Sequence, residues 1–205
     1  MYHLYPKDFE KINCFKSLKY LYMKYFYFDE NLTIKLSNLK VFSSQNCRNI
    51  IISRAFCQKL EILDLRYNKI SDINILENVN FKELKELNLS DNNISDIKVL
   101  EKLKFEKLEI LNLEYNKISN INFLENIDFK ELKKLYLYNN NISDIKVLEK
   151  VIFEKLEILS LGGNKISDIK ILENVNFKGL KELYLYNNNI SDIKVLEKVK
   201  FNVII

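Results

Sequence analysis

One string of residues recurs six times at a spacing of 24, and this repeat constrains the fold more than any other feature of the sequence. Each copy, which we call a coil, reads L-x-x-L-x-L-x-x-N-x-I-x-x-I-x-x-L-x-x-V-x-F, with Leu or Ile replacing Val in two copies. A single coil is too short to bury its own apolar side chains, so consecutive coils must stack and share one core. The opening leucines are Leu60, Leu84, Leu108, Leu132, Leu156 and Leu180.

The spacing inside a coil predicts a short strand followed by tight turns. Leu63 and Leu65 alternate with period two, which places both side chains on one face of a strand. After Asn68 the apolar residues recur every third position through residues 70–79, a period that suits 3₁₀ turns better than an α-helix. The strands of stacked coils should therefore pair in a parallel sheet, with the turns forming the opposite layer.

This pattern resembles the leucine-rich repeats of internalins and of protein-phosphatase regulators, lengthened by two residues per coil. The resemblance runs from Leu60 to about Val203. It implies an α/β-type repeat solenoid, a horseshoe arc with a concave parallel β-sheet and short 3₁₀ returns on the convex side. It also implies a non-catalytic protein–protein interaction module that binds a protein partner on the concave face. Two narrower roles stay open, namely a regulatory or targeting subunit of an enzyme such as a phosphatase, and a pathogen adhesin or effector.

The sequence divides into an irregular and a regular part. Residues 60–205 are expected to hold six regular repeats, arranged as three 48-residue pairs, with a truncated seventh. Residues 1–59 are expected to form an N-terminal cap with degenerate repeats. Leu36, Leu39 and Val41 match the pattern weakly, with Ser44 where the asparagine would be expected.

The coils alternate between two types, which gives the 48-residue pair. Odd coils begin Leu-Glu-Ile-Leu, as in residues 60–63, and even coils begin Leu-Lys-Glu-Leu, as in residues 84–87. The first pair (60–107) differs from the third (156–203) at eleven positions, and six of these lie on the exposed side of the strand or just after it. The core residues are nearly all the same in both pairs while exposed residues differ, which favours the interpretation that the exposed face binds a partner. Neutral drift of surface residues is the alternative.

Tyrosines mark one part of this varied surface. Tyr136 and Tyr138 should face Tyr184 and Tyr186 across a strand bearing small residues, which predicts a notch between aromatic walls about 10 Å apart. Tyrosine is common among binding hot spots because it combines a large contact area with a hydroxyl group. The predicted protein-binding residues of the concave face are Tyr136, Tyr138, Ser160, Gly162, Tyr184, Tyr186, Arg66, Tyr67, Glu114 and Tyr115.

One asparagine per coil stands where the chain turns inward after the strand, and we predict a structural role for this column. A side-chain amide can donate to one coil's carbonyl and accept from the next coil's amide, which satisfies backbone groups that the turn leaves unpaired. The ladder consists of Asn68, Asn92, Asn116, Asn140, Asn164 and Asn188.

Catalysis, metal binding and cofactor binding find little support in the sequence. His3 is the single histidine, which excludes a histidine triad or a multi-histidine metal site, and no phosphate-binding glycine loop is present. A serine–aspartate pair opens most returns, as at Asp72, and capping explains it better than a calcium ladder. We therefore predict no catalytic residues, no metal and no cofactor.

Charge and cysteine content bear on partners and compartment. The net charge of +4 is spread among interspersed acids and bases with few arginines, so nucleic acid is not a predicted partner. No membrane span or signal peptide is recognised, and Cys14, Cys47 and Cys57 fit buried reduced thiols, so a cytoplasmic location is expected. Ile204 falls where the next opening leucine would stand, and this uncapped edge predicts self-association or partner docking.

Overall fold

A computed structural model describes residues 16–25, 27–34, 37–52, 58–77, 79 and 81–205. Within these residues, most strands are three residues long and belong to one sheet. The strands are β1 (Tyr20–Lys24), β2 (Tyr27–Ile34), β3 (Val41–Gln45), β4 (Arg48–Ile52), β5 (Ile62–Asp64), β6 (Glu86–Asn88), β7 (Ile110–Asn112), β8 (Lys134–Tyr136), β9 (Ile158–Ser160), β10 (Glu182–Tyr184) and β11 (Asn202–Ile204).

The sheet follows the order of the chain. Its nine strands run β1-β3-β5-β6-β7-β8-β9-β10-β11, and each neighbouring pair is parallel. Leu63 pairs with Leu87, and Leu87 pairs with Leu111, so each regular coil adds one strand in the same register. The parallel sheet predicted from the repeat is present, and the fold is a leucine-rich-repeat solenoid.

The layer opposite the sheet consists of 3₁₀ segments, as the period of three predicts. Each begins after an Asp or Asn whose side-chain oxygen accepts a hydrogen bond from the backbone two residues later, as Asp96 does from Lys98 N–H at 2.9 Å. Asn120, which breaks the aspartate column, makes the same bond to Asn122 N–H at 2.7 Å. The segments are Asn74–Leu76, Lys98–Lys102, Asn122–Asn126, Lys146–Glu149, Lys170–Glu173 and Lys194–Glu197.

The core lies between these two layers and is continuous along the solenoid. The strand leucines such as Leu87, Leu111 and Leu135 are completely buried. The phenylalanines that close the coils form two rows of neighbouring rings, Phe81–Phe105–Phe129 and Phe153–Phe177–Phe201, with 6.2 Å between the ring centroids of Phe81 and Phe105. Because each side chain of the core touches the coils before and after it, no coil has a core of its own.

The asparagine ladder links each coil to the one before it. Asn116 donates from Nδ2 to the Leu89 carbonyl at 2.9 Å, and its Oδ1 accepts from Ile94 N–H at 3.0 Å. Both partners lie in the preceding coil, so the expectation that the amide accepts from the following coil is wrong. The side chain also bonds the carbonyls of Leu113 and Glu114 in its own coil, so it closes its own turn as well.

The repeat starts earlier than residue 60, in a register that differs from the expected one. Val41 pairs with Ile62, which places Phe42 beside Leu63 and aligns Cys47 with Asn68. The expected alignment of Ser44 with the ladder asparagine is therefore wrong by three positions. Cysteine is an accepted residue at this position of the repeat, and Cys47 N–H donates to Asn68 Oδ1 at 2.7 Å. Cys47 is buried and free, while Cys14 and Cys57 lie outside the described residues.

These early coils differ from the regular ones in length and in their second layer. The step between paired residues is 21 from Tyr20 to Val41 and again from Val41 to Ile62, whereas the regular step is 24. The opposite layer is here a two-stranded parallel sheet, β2 with β4. Strand β3 pairs directly with β5, so the main sheet is continuous across the expected boundary at residue 60. The division into a cap and a regular part stays a prediction.

Ion pairs on the flanks of the solenoid follow the alternation of odd and even coils. A glutamate of an odd coil pairs with a lysine of the following even coil, as Glu61 does with Lys85 at 3.1 Å and Glu109 with Lys133 at 2.8 Å. The side chains are well exposed, so each pair contributes little stability. The pairs from odd to even coils are Glu61–Lys85, Glu77–Lys102, Glu83–Lys107, Glu109–Lys133, Glu125–Lys150, Glu131–Lys155, Glu157–Lys181 and Glu173–Lys198.

The last strand closes a shortened coil. Val203 pairs with Leu183, so Ile204 is the third residue of β11 and not the opening residue of a coil, which corrects the expected alignment. Leu185 N–H donates to the Ile204 carbonyl at 2.7 Å. Self-association through this edge stays a prediction.

Candidate protein-binding surface

The surface predicted to bind a protein lies on the sheet face opposite the buried leucines. In each regular coil it is formed by the first and third strand residues and by the two residues that begin the next turn. Tyr136, Tyr138, Tyr184 and Tyr186 lie here and are half-buried. Tyr67 and Tyr115 follow their strands with 47% and 45% of their surface exposed.

The small side chains of this face are less open than expected. Ser160 is 6% exposed and Gly162 is also buried, although both were predicted to form an accessible floor. Asn88 and Ser90 of the second coil are buried in the same way. Strands about 4.8 Å apart leave short side chains below the height of their tall neighbours. The accessible surface of this face therefore consists mainly of the large side chains.

The predicted notch is closed, and this expectation was wrong. The ring centroids of Tyr138 and Tyr186 lie 5.5 Å apart although a whole coil separates their strands. A Cβ added at Gly162 would stand 3.1 Å from Tyr186 Cζ and 3.2 Å from Tyr138 Cδ2. Because Gly162 has no side chain, both rings cover it and pack against each other, which removes apolar surface from water.

The closed notch belongs to a longer row of rings. Tyr115 meets Tyr138 edge to face at 5.3 Å, and Tyr184 meets Tyr186 edge to face at 6.3 Å. The Tyr184 hydroxyl donates to Glu182 Oε2 at 2.6 Å. We call Tyr115, Tyr138, Tyr184 and Tyr186 the tyrosine cluster. It spans the third to the sixth regular coil and presents one continuous aromatic surface.

The residue that turns the chain after each strand has a left-handed backbone, which the sequence analysis did not detect. This conformation favours Gly, Asn and Asp, and it costs other residues about 1–2 kcal/mol. Tyr25, Tyr67 and Tyr115 nevertheless adopt it, with φ of 61°, 61° and 51°. The other coils place Asn46, Asp91, Asn139, Gly163 and Asn187 at this position. The recurrence of Asn, Asp and Gly at one repeat position was the signal in the sequence.

This strain leads to a stability prediction. Replacing Tyr67 by asparagine is expected to increase the free energy of unfolding by about 0.5–1 kcal/mol, because asparagine tolerates φ near 60° better than tyrosine does. Urea denaturation followed by circular dichroism measures the change. The reverse exchange, Asn187→Tyr, is the matched control and should lower the stability by a similar amount. Equal stability of Tyr67→Asn and the unchanged protein would contradict the prediction.

Glu114 lies next to the strained Tyr115. Its side chain is half-buried, and Oε2 lies 3.4 Å from Asn112 Nδ2. Burial raises the pKa of the Glu114 carboxyl, the Asn112 hydrogen bond partly opposes this, and the negative charge of Asp91 adds to it. The ionised carboxylate is therefore held at a cost in this position.

Arg66 forms an ion pair with Asp64 of the same chain. Its Nη2 lies 2.9 Å from Asp64 Oδ2 and its Nε lies 3.0 Å from Asp64 Oδ1. Gln45 and Ser43 of β3 donate to the same carboxylate. Burial raises the pKa of Asp64, but the hydrogen bonds from Arg66 and Gln45 outweigh it and hold the pKa below its ordinary value. This network connects strand β3 of the early coils to strand β5 of the first regular coil.

Comparison with known proteins agrees with the architecture. The family model for leucine-rich repeats in two copies matches residues 58–102, 82–126, 106–150, 130–174 and 154–198, which together span well over half of the chain. The chain belongs to the leucine-rich-repeat family. No curated protein matches the sequence.

Two internalins of Listeria monocytogenes are similar in structure. InlF is 26% identical with a TM-score of 0.57, over 85% of this chain and 58% of its own length. Internalin C2 is 27% identical with a TM-score of 0.50, over 83% of this chain and 79% of its own. The PEPR1-AtPEP1 structure is 21% identical with a TM-score of 0.59, over 92% of this chain and 31% of that one, and this likeness concerns the fold alone. The chain thus spans less than two-thirds of InlF.

In the part of the chain that the structure describes, no helix has the length and apolar content needed to cross a bilayer. No group of three His, Cys, Asp or Glu side chains in the same residues is placed to hold a metal ion.

Proposed function

We propose that the protein is a non-catalytic recognition module that binds a protein partner on the concave face of its sheet, centred on the tyrosine cluster. Leucine-rich repeats typically serve in protein–protein interaction, and the internalin likeness agrees with this class of role. The observation that carries the proposal is the row of touching rings from Tyr115 to Tyr186 on a face where shorter side chains are buried. Aromatic side chains of this kind contribute much of the binding energy at protein interfaces.

Backbone strain supports the same surface. Tyr67 and Tyr115 occupy left-handed positions at which asparagine, aspartate or glycine would be more stable. Both side chains nevertheless remain almost half exposed. Strain that brings exposed aromatic rings to a surface is typical of sites that make contacts with another molecule.

The test measures the affinity of tyrosine variants for a purified partner. Candidates captured on the immobilised chain are produced separately, and their binding is then measured by calorimetry. Tyr138→Ala and Tyr186→Ala should each weaken binding about 30-fold or more, because truncating an interface hot spot costs about 2 kcal/mol or more. Tyr20→Ala is the matched control, since this tyrosine is 56% exposed at the far end of the sheet.

Each variant is first checked for an unchanged circular dichroism spectrum and melting temperature. Full affinity in both cluster variants would overturn the proposed surface. A loss of affinity in Tyr20→Ala equal to theirs would show that the effect is not specific to the tyrosine cluster. The regulatory-subunit and adhesin roles are narrower versions of partner binding, and no described residue favours one of them. A cytoplasmic location also stays a prediction.

A further inference from the structure

Glu114 has no cationic partner among the described residues, unlike the glutamates that form ion pairs on the flanks of the solenoid. Flank glutamates such as Glu109 and Glu157 pair with a lysine of the next coil at 2.8 and 3.0 Å. No Lys or Arg of the described residues lies within 4.0 Å of the Glu114 carboxylate, and Asn112 supplies its one hydrogen bond. The half-buried charge is therefore left largely uncompensated within the chain.

Aromatic residues neighbour Glu114 on the same face of the sheet. Tyr115 is its neighbour in the chain and packs against Tyr138, and Tyr186 leans towards them across Gly162. Burial raises the pKa of Tyr136 and of Tyr186, and the negative charge of Glu114 raises the pKa of both further, so the carboxylate acts on phenols from two different coils. A negative charge beside several ring faces is the environment that attracts a cationic side chain.

Two costs to stability meet at this point of the chain. Tyr115 has a strained backbone, and the adjacent Glu114 carries a half-buried charge. No other regular coil has an acid at the position of Glu114, where the sequence has Arg66, Ser90, Tyr138, Gly162 and Tyr186. Costs that internal contacts offset only in part are characteristic of residues whose partner is another molecule.

The charge of the concave face indicates the charge of the partner segment that binds it. The whole chain has a net charge of +4, yet between β6 and β10 this face carries four acids and one base. An acidic surface on a basic protein attracts a cationic segment of a partner and orients its approach. The charged residues of this stretch are Glu86, Asp91, Glu114, Lys134 and Glu182.

We propose that the protein partner places an arginine side chain against Glu114 and the adjoining rings of the tyrosine cluster. A guanidinium group is planar, stacks on aromatic faces and donates two parallel hydrogen bonds to one carboxylate, so it matches both components of the site. The ammonium group of a lysine carries the same charge but is not planar, so it cannot stack on a ring or bind a carboxylate in this bidentate way. This inference rests on the proposed function and specifies the chemistry that the concave face recognises.

The experiment uses short peptides of defined composition as probes. Ac-Gly-Ser-Arg-Ser-Gly-amide is titrated into the full chain and followed by nuclear magnetic resonance of the tyrosine rings and backbone amides. The citrulline analogue has the same shape without the charge, and the lysine analogue has the charge without the planar group. We expect saturable shifts at Tyr115, Tyr136, Tyr138 and Tyr186 with arginine, at least 5-fold weaker binding with lysine, and no saturation with citrulline.

Glu114→Gln is the decisive variant because it preserves shape and removes the charge. We expect it to weaken binding of the arginine peptide at least 10-fold, with the melting temperature equal to or above that of the unchanged protein. Glu101→Gln is the matched control, since Glu101 lies in a 3₁₀ segment of the convex layer and has no ion pair among the described residues. It should bind the peptide as the unchanged protein does.

Other results would overturn the inference. They are equal binding of the arginine and citrulline peptides, full affinity in Glu114→Gln, and shifts that map away from the tyrosine cluster. The failure of the inference and that of the proposed function are distinguishable with a purified partner. A partner that loses affinity in Tyr138→Ala but keeps it in Glu114→Gln would leave the concave binding surface in place and remove the arginine contact.

Discussion

Asn116→Leu is expected to destabilise the protein by about 2–6 kcal/mol. The leucine cannot accept the hydrogen bond from Ile94 N–H or donate to the Leu89 carbonyl, and both of those backbone groups are in the interior of the preceding coil. Each buried polar group left without a partner costs about 1–3 kcal/mol. The carbonyls of Leu113 and Glu114 lose a donor as well, so the turn that carries the candidate site loosens. Urea denaturation monitored by circular dichroism measures the loss.

The central position of Asn116 in the ladder makes the expected loss of stability large. Asn116 lies in the middle of the column, and a disturbed turn here affects the coils on both sides. Asn93→Leu is the matched control, because Asn93 is exposed and its side chain makes no hydrogen bond among the described residues. It should change the stability by less than about 0.5 kcal/mol. Similar losses in the two variants would show that the ladder bonds contribute little.

Leu111→Ala is expected to cost about 2–5 kcal/mol of unfolding free energy. The side chain is completely buried, in register between Leu87 of the preceding strand and Leu135 of the next. Removing it leaves a cavity that neighbouring coils fill only in part, and the cost of such cavities grows with their volume. Because stability in a solenoid depends on contacts between neighbouring coils, the cavity weakens two interfaces at once.

Ile110→Ala provides the control on the same strand. Ile110 is adjacent to Leu111 and similar in size, but its side chain lies on the concave face and is only partly buried. Thermal and urea denaturation should show a loss of at most about 1 kcal/mol for this variant. A loss in Ile110→Ala as large as that in Leu111→Ala would contradict the assignment of the two faces.

The regular coils could be predicted because sequence and packing repeat together. The spacing of Leu63, Leu65 and Asn68 is sufficient to indicate the strand, its buried face and the turn that follows. The earlier coils could not be placed from the same pattern, because Phe42 and Cys47 stand where leucine and asparagine are expected. The step there is also 21 residues instead of 24, so alignment by a fixed period fails.

The candidate site was predicted less well than the fold. Alternation along the strand correctly assigned the tyrosines to the face opposite the leucines, but strand spacing alone suggested walls that stand apart. Side-chain direction depends on what neighbouring residues leave empty, and Gly162 leaves room that Tyr138 and Tyr186 fill. The Asp64 carboxylate that binds Arg66 also accepts hydrogen bonds from Gln45 and Ser43, which lie on a strand whose register the sequence did not reveal.

The charge pairs on the flanks limit how an array of this kind can change its length. Loss of one even coil would bring Glu61 beside Glu109, and Glu83 beside Glu131, where like charges repel. Loss of an odd coil together with the following even coil would instead leave the odd-to-even ion pairs of the remaining coils intact. A gene encoding such a chain can thus gain or lose 48-residue units with little electrostatic penalty, and each event moves the aromatic surface by two strands relative to the start of the sheet.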